Sequence, residues 1–172
     1  LEYVEQPCRG LRELAEVREA TGVRIAADET IRRDQADPDL VRDAVDVAII
    51  KVQPMGGVHA ALELVGQFGL PAVVSSALET SIGLSAGLRL AAALPEIPFA
   101  CGLGTGLLLA ADVVPTPLRP CRGVLSIDRA GPGNKVLGPV QSPSRSKVEA
   151  IMRRMVRVQD VPRQQVSAGT RW

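Results

Sequence analysis

Aromatic side chains are scarce in this 172-residue chain: Tyr3, Phe68, Phe99 and Trp172 are all of them, 2% of the residues. Any core must therefore be aliphatic. Cysteine is limited to Cys8, Cys101 and Cys121, too few and too scattered for a disulfide framework or a zinc site, so a reducing cytosol is the expected setting. Long apolar runs are missing too. The longest stretches without a charge, 64–78 and 97–111, are 15 residues each, short of the roughly 20 that a membrane span requires. A secretory leader is not expected either, because Glu2 and Glu5 sit where a basic and then apolar segment would be. Histidine occurs once, at His59, which leaves little scope for a nucleophile–histidine pair.

What remains is a composition of 46% hydrophobic and 23% charged residues, that of a globular chain. The net charge of +1 hides an asymmetry. Residues 1–115 carry 9 Lys/Arg against 16 Asp/Glu, and residues 116–172 carry 11 against 3. The second part is rich in Pro, Gly, Ser and Arg and is expected to be a basic tail with one short helix, 146–158. Its Arg153, Arg154 and Arg157 lack an aromatic platform or a binding motif around them, so they read as a solvated face and no nucleic-acid partner is expected.

Residues 1–115 alternate regularly. Short strands are expected at 1–4, 23–27, 47–50, 71–74 and 98–101. Helices are expected at 11–20, from Asp37-Pro38 through Ala44, at 58–68 and at 81–94. The strands are apolar on both faces, the pattern of a parallel sheet covered by helices. The residues that close them, Glu5, Asp28, Lys51, Ser75 and Gly102, follow one another at 23, 23, 24 and 27 residues. Such a period is one βα unit per repeat. Four of these five positions carry side chains capable of chemistry. Barrel enzymes gather catalytic groups from several strand ends on one face, whereas a doubly wound sheet concentrates them at one switch point. The fold class expected is therefore α/β, a partial (β/α) barrel of the TIM type.

Glu5 and Asp28 end consecutive parallel strands, so their carboxylates should converge at the barrel mouth. Paired carboxylates suit a hard cation such as Mg2+, which takes oxygen ligands, although an Asp in that position can also simply cap the next helix. Lys51 ends the uniformly apolar run Val47-Ala48-Ile49-Ile50. A buried ammonium is costly without a partner, and beside two carboxylates it would stabilise negative charge or shuttle a proton. Glu29 is expected on the other side of its strand, in a supporting or helix-starting role. His59 is expected on the surface, so Ser75 and Ser76 read as substrate-binding hydroxyls and not as nucleophiles. Gly102-Leu103-Gly104-Thr105-Gly106 lacks both the third glycine of a dinucleotide fingerprint and a Walker lysine, and its backbone suits a carboxylate instead.

Taken together, Tyr3-Val4-Glu5-Gln6-Pro7, Ala26-Ala27-Asp28-Glu29, Ile50-Lys51-Val52-Gln53-Pro54 with Gly56-Gly57, Ser75-Ser76-Ala77-Leu78-Glu79-Thr80 and Cys101-Gly102-Leu103-Gly104-Thr105 resemble the enolase superfamily, and within it the o-succinylbenzoate synthases of menaquinone biosynthesis. The resemblance covers residues 1 to about 115. It implies a Mg2+-dependent carbon–oxygen lyase that dehydrates a cyclohexadiene carboxylate through an enediolate. It implies that Glu5 and Asp28 are the second and third metal ligands and that Lys51 is the catalytic lysine lying against the enediolate. Ser75, Ser76 and Gly102 would contact the substrate's carboxylates. It places these segments on barrel strands four to eight.

The same resemblance puts a first metal ligand about 20–25 residues before Leu1, by the family's repeat, and the proton-abstracting lysine a further period earlier. The expectation is thus a fragment, inactive alone, in the cytoplasm, with a small carboxylate as substrate. It has no membrane or nucleic-acid partner and tends to self-associate through its open sheet edges. The alternatives are a muconate cycloisomerase, an N-acylamino-acid racemase or a dipeptide epimerase of the same superfamily, or a noncatalytic remnant that associates with another subunit. Gly102-Leu103-Gly104 stands where a dipeptide epimerase would carry Asp-x-Asp.

Overall fold

The computed structural model describes residues 1–33 and 37–127, all within one unit of the chain, Leu1–Leu137. The helix expected at 146–158 and most of the basic tail lie outside the described residues.

Four strands, β1 (Val4–Glu5), β2 (Ile25–Ala27), β3 (Val47–Lys51) and β4 (Ala72–Ser75), form one sheet in the order β1-β2-β3-β4. Every pair is parallel. The connections contain α1 (Leu11–Thr21), α2 (Glu29–Arg33) and α3 (Pro38–Ala44), α4 (Val58–Phe68), and after β4 comes α5 (Ser81–Ala93). The helix ends are written in the sequence. Gly22 takes the left-handed conformation (φ 66°) that closes α1, a geometry that only glycine adopts freely. Asp37 caps α3 by accepting a hydrogen bond from the Asp39 N–H at 2.9 Å, with Pro38 at the first helical position.

Two expectations need correcting. The fifth strand, expected at 98–101, is reduced to a single parallel bridge between Ser75 and Gly102. Pro98 has no N–H to give to a ladder, and the bridge consists of the Gly102 N–H on the Val74 carbonyl at 2.9 Å and the Ser76 N–H on the Gly102 carbonyl at 3.0 Å. In addition, the residues that follow Asp28 form the short helix α2, a five-residue turn with too little apolar periodicity to be foreseen.

The period of two along each strand divides the core. Ile25, Ala27, Ala48, Ile50, Ala72 and Val74 pack outward against Leu14 of α1, Val41 of α3, Ala61 and Phe68 of α4 and Leu84 and Leu88 of α5. The alternate residues Ala26, Val47, Ile49 and Val73 form a second, inner cluster, with Tyr3 and Phe99 packed against it. The Tyr3 and Phe99 rings meet edge to face, 5.3 Å between centroids. In a flat sheet, four strand spacings of about 4.8 Å would hold their backbones about 19 Å apart. The contact therefore requires a curled sheet with its inner face concave, as in an arc of barrel wall. The segment after residue 111 closes on α5: Asp112 accepts hydrogen bonds from the Ser81 N–H (2.9 Å) and Oγ (2.7 Å), and the Leu118 N–H donates to Ser81 Oγ at 2.7 Å. Leu118 is buried in the outer cluster.

Candidate functional site

The inner column of each strand continues past the apolar cluster into a chemically active residue. Tyr3 leads to Glu5, Ala26 to Asp28, Ile49 to Lys51 and Val73 to Ser75, each two residues on and so on the same face. The parallel register pairs Glu5 with Ala26 and Lys51 with Ser75, and Ser75 bridges Gly102. All five strand-closing positions thus follow one another along the C-terminal edge of the sheet, in a row staggered by two residues at the β1–β2 and β2–β3 steps.

Asp28 is the centre of this row. It is 2% exposed, and a carboxylate so deeply buried requires partners. Its Oδ2 accepts from Lys51 Nζ, and its Oδ1 accepts from Arg32 Nε at 3.1 Å. Arg32 also reaches Glu29, 3.4 Å from Nη2 to Oε1. Glu29 opens α2, beyond the end of β2. Glu5 lies at the exposed rim beside Asp28. Its carboxyl is pushed above the usual range, first by partial burial and then by the charges of Asp28 and Glu29, while Lys51 pulls the other way. Two carboxyl groups brought together at adjoining strand ends match the donor chemistry of a hard divalent cation, which would draw its other ligands from water and substrate. Among the described residues no group of three or more His, Cys, Asp or Glu side chains is arranged to hold a metal ion.

The serines and glycine form the adjoining wall. Ser75 Oγ faces the Gly102 carbonyl at 3.4 Å, so closely that a Cβ on residue 102 would stand 2.6 Å from that oxygen. Ser76, one residue further, is buried on the opposite parity. Its hydroxyl donates to the Gly102 carbonyl at 3.0 Å and lies 2.7 Å from Thr105 Oγ1. Ser75 and Gly102 thus face the row of charges, whereas Ser76 fastens β4 to the 102–105 turn. His59 is exposed on α4, away from both serines in sequence and on the helix expected.

Sequence reasoning passed over three contributors. Arg32 stands four residues after Asp28, a helical pairing distance that would have flagged it had α2 been foreseen. Thr105 was taken as part of a backbone turn, but its hydroxyl also receives the Glu79 N–H at 3.4 Å. Gln6 has φ 44°, a left-handed conformation that costs an L-residue about 1–2 kcal/mol. Its side-chain amide is fully engaged across the β1–β2 gap, where Oε1 accepts from the Asp28 N–H (2.8 Å) and the Thr30 N–H (3.3 Å), and Nε2 donates to Thr30 Oγ1 and to the Cys8 carbonyl (2.7 Å).

Comparison with known proteins gives this row of residues a family. The "Enolase C-terminal domain-like" family matches residues 1–136. The chain belongs to that family. The enolase-type resemblance carried by the strand ends is therefore borne out, and with it the partial parallel α/β barrel. The o-succinylbenzoate synthase of Thermobifida fusca is 59% identical over 143 residues, 82% of this chain and 45% of that protein. The o-succinylbenzoate synthase of Mycobacterium tuberculosis strain H37Rv is 49% identical over 133 residues, covering 77% and 40%. The chain thus spans less than half the length of these curated relatives. Among solved structures, a muconate lactonizing enzyme from Pseudomonas putida superposes with a TM-score of 0.65 at 25% identity, over 80% of this chain and 39% of that one. An L-Ala-D/L-Glu epimerase from Bacillus subtilis superposes with a TM-score of 0.63 at 28% identity, over the same shares. The two solved structures superpose about equally well, so the fold does not by itself choose between their reactions.

Proposed function

We propose that this chain carries the C-terminal part of the barrel of an o-succinylbenzoate synthase, an enolase-superfamily lyase that dehydrates a cyclohexadiene carboxylate to an aromatic succinylbenzoate. The observation that carries this reading is the 59% identity to the Thermobifida fusca synthase over 143 residues, 82% of this chain. Identity to the muconate and epimerase structures is far lower, 25% and 28%.

In this reading Glu5 and Asp28 hold a Mg2+ ion, which would supply the charge that makes the proton next to a carboxylate acidic enough to remove. Lys51, fixed by Asp28, presents its ammonium to the face of the substrate on which the enediolate's charge develops, and stabilises that charge electrostatically. Ser75, Ser76 and Gly102 make the wall that receives a substrate carboxylate; Ser75 offers its hydroxyl, and Ser76 keeps the 102–105 turn at hydrogen-bonding distance. Arg32 shares the charge of Asp28 and keeps its carboxylate oriented. A menaquinone-pathway role, a cytoplasmic location and a small-molecule carboxylate partner accompany this assignment. So do the division into residues 1–115 and a basic tail over 116–172, and self-association through the open edges of the sheet.

The test is ligand-dependent stabilisation of the 172-residue chain. With Mg2+ present, o-succinylbenzoate should raise the melting temperature, and the effect should vanish with EDTA and in Asp28→Asn. Muconolactone, an N-succinyl amino acid and L-Ala-L-Glu serve as competitors. A larger response to any of these than to o-succinylbenzoate, or no Mg2+-dependent response to any of the four, would reject the assignment.

A further inference from the structure

The geometry points to Gln6 as a positioning residue that fixes the spacing of the Glu5 and Asp28 carboxylates, so that cation affinity depends on a side chain that touches no cation. The inference rests on the reading of those two carboxylates as cation ligands.

Glu5 and Asp28 belong to different strands, and β1 is only two residues long. Its ladder to β2 ends where the Gln6 N–H meets the Ala26 carbonyl at 2.8 Å, two residues short of Asp28. Beyond that point backbone pairing no longer couples the two carboxylate-bearing ends. The Gln6 side chain takes over. Its Oε1 accepts from the N–H of Asp28 itself at 2.8 Å and from the Thr30 N–H at 3.3 Å. Its Nε2 ties the same amide to Thr30 Oγ1 and to the Cys8 carbonyl at 2.7 Å. Thr30 is 1% exposed and passes the connection on to the Arg9 carbonyl at 3.4 Å.

One side chain, adjacent in sequence to Glu5, therefore holds the backbone of Asp28, Thr30 in the first turn of α2 and the Cys8 carbonyl of the β1–α1 connection. The left-handed backbone at Gln6 is what directs its side chain across the gap instead of along the strand. Lys51 and Arg32 bind the Asp28 carboxylate, whereas Gln6 holds the Asp28 backbone from the position next to Glu5. Groups that orient ligands from outside the coordination sphere control affinity by about 10–100-fold.

The experiment uses Mn2+ as probe, with free Mn2+ counted by electron paramagnetic resonance during titration of the full 172-residue chain. Gln6→Met keeps nearly the same volume and removes all four side-chain hydrogen bonds. Asp46→Ala is the control: Asp46 Oδ2 accepts from the Ile25 N–H at 3.0 Å, so it anchors the same strand at the opposite end. Gln6→Met should weaken Mn2+ binding by about ten-fold or more, and Thr30→Val should weaken it less, because Oε1 keeps its bond to the Asp28 N–H. Amide exchange at Asp28 and Thr30 should accelerate in Gln6→Met without cation present. Asp46→Ala should lower the melting temperature and leave Mn2+ affinity unchanged. Saturable Mn2+ binding with the same affinity in Gln6→Met as in the unsubstituted chain, or equal weakening in Asp46→Ala, overturns the inference and leaves the cation reading standing. The absence of saturable binding by the unsubstituted chain overturns the cation reading itself.

Discussion

The ion pair at the centre of the site makes a quantitative prediction about stability. Lys51→Met deletes the ammonium opposite Asp28 Oδ2 while preserving most of the aliphatic stem. Asp28 is 2% exposed and the Lys51 side chain 15%, so water cannot readily replace the lost partner. Removing one member of a buried pair costs about 3–5 kcal/mol, because the survivor is left charged and dry. Arg32 remains on Oδ1 at 3.1 Å, which places the expected loss at the lower end, about 3 kcal/mol. With a urea slope of about 2 kcal/mol per molar, that is a fall of about 1.5 M in the midpoint. Neutralising the survivor should reverse the loss. Asp28→Asn in the Lys51→Met background is expected to return to within about 1 kcal/mol of the starting stability, since replacing a whole buried pair is often neutral or better. Urea melts followed by circular dichroism at pH 7 in EDTA measure both. A loss below about 1 kcal/mol in Lys51→Met, or a double variant no more stable than the single one, would show that Asp28 is not the buried, charge-dependent hub described above.

Three further outcomes follow from other parts of the molecule. Gly102→Ala drives a Cβ to 2.6 Å from Ser75 Oγ and 3.3 Å from Ser75 Cβ; it should destabilise by about 1–3 kcal/mol in thermal melts, and Ser75→Ala should relieve most of that. The Tyr3–Phe99 contact should give a coupling of about 0.5–1.5 kcal/mol in a double-mutant cycle to Leu; zero coupling would mean that the sheet is not curled enough to bring the rings together. Asp112 and Glu5 should act on the pH dependence with opposite sign. Burial alone would raise the Asp112 carboxyl, but the Ser81 hydroxyl and the N–H groups of Ser81, Val113 and Val114 outweigh it and hold it below the usual aspartate range. Its contribution is therefore present above the ordinary aspartate pKa and disappears as the pH falls through the lowered value, an acid limb that Asp112→Ala should flatten. Glu5 is raised, so the cation-free fold should lose stability as the pH climbs from the ordinary glutamate pKa through the raised one, a slope that Glu5→Gln should abolish.

Much of this architecture can be read from the chain because its strands are short apolar runs at a fixed period. Val47-Ala48-Ile49-Ile50 is buried on both faces, and only a covered parallel sheet needs that. Helix α4 is bounded by Gly57 and Gly69 and spans the residues expected, Val58–Phe68. The convergence of Glu5, Asp28 and Lys51 followed from strand order and period. What escaped the sequence depends on three-dimensional geometry at short range. Residues 98–101 carry strand-like composition, yet the only pairing of this segment with β4 among the described residues is the bridge at Gly102, one residue further on. Ser75 and Ser76 are chemically identical and both reach the Gly102 carbonyl, yet only Ser76 is buried and bonded to Thr105, a distinction that composition does not carry. Gln6 and Arg32 are polar residues in connecting segments, where no periodicity marks them, and their partners lie across strands or on a helix of only five residues.

The curled sheet also constrains how such a protein can change. Glu5, Asp28, Lys51 and Ser75 stand on the same alternation as the inner cluster of Ala26, Val47, Ile49 and Val73. Inserting or deleting one residue within β3 would carry Ile50 or Val52 to the position of Lys51 and exchange the inner row of Val47 and Ile49 with the outer row of Ala48 and Ile50 in the same event. Reactive groups and packing groups on these strands therefore cannot drift apart: an error in one is an error in the other and is removed by loss of folding before it is tested by loss of chemistry. New specificities in a scaffold of this kind have to arise in the segments beyond the strand ends, such as 76–80 and 102–108, where length and composition can vary without moving the register beneath them.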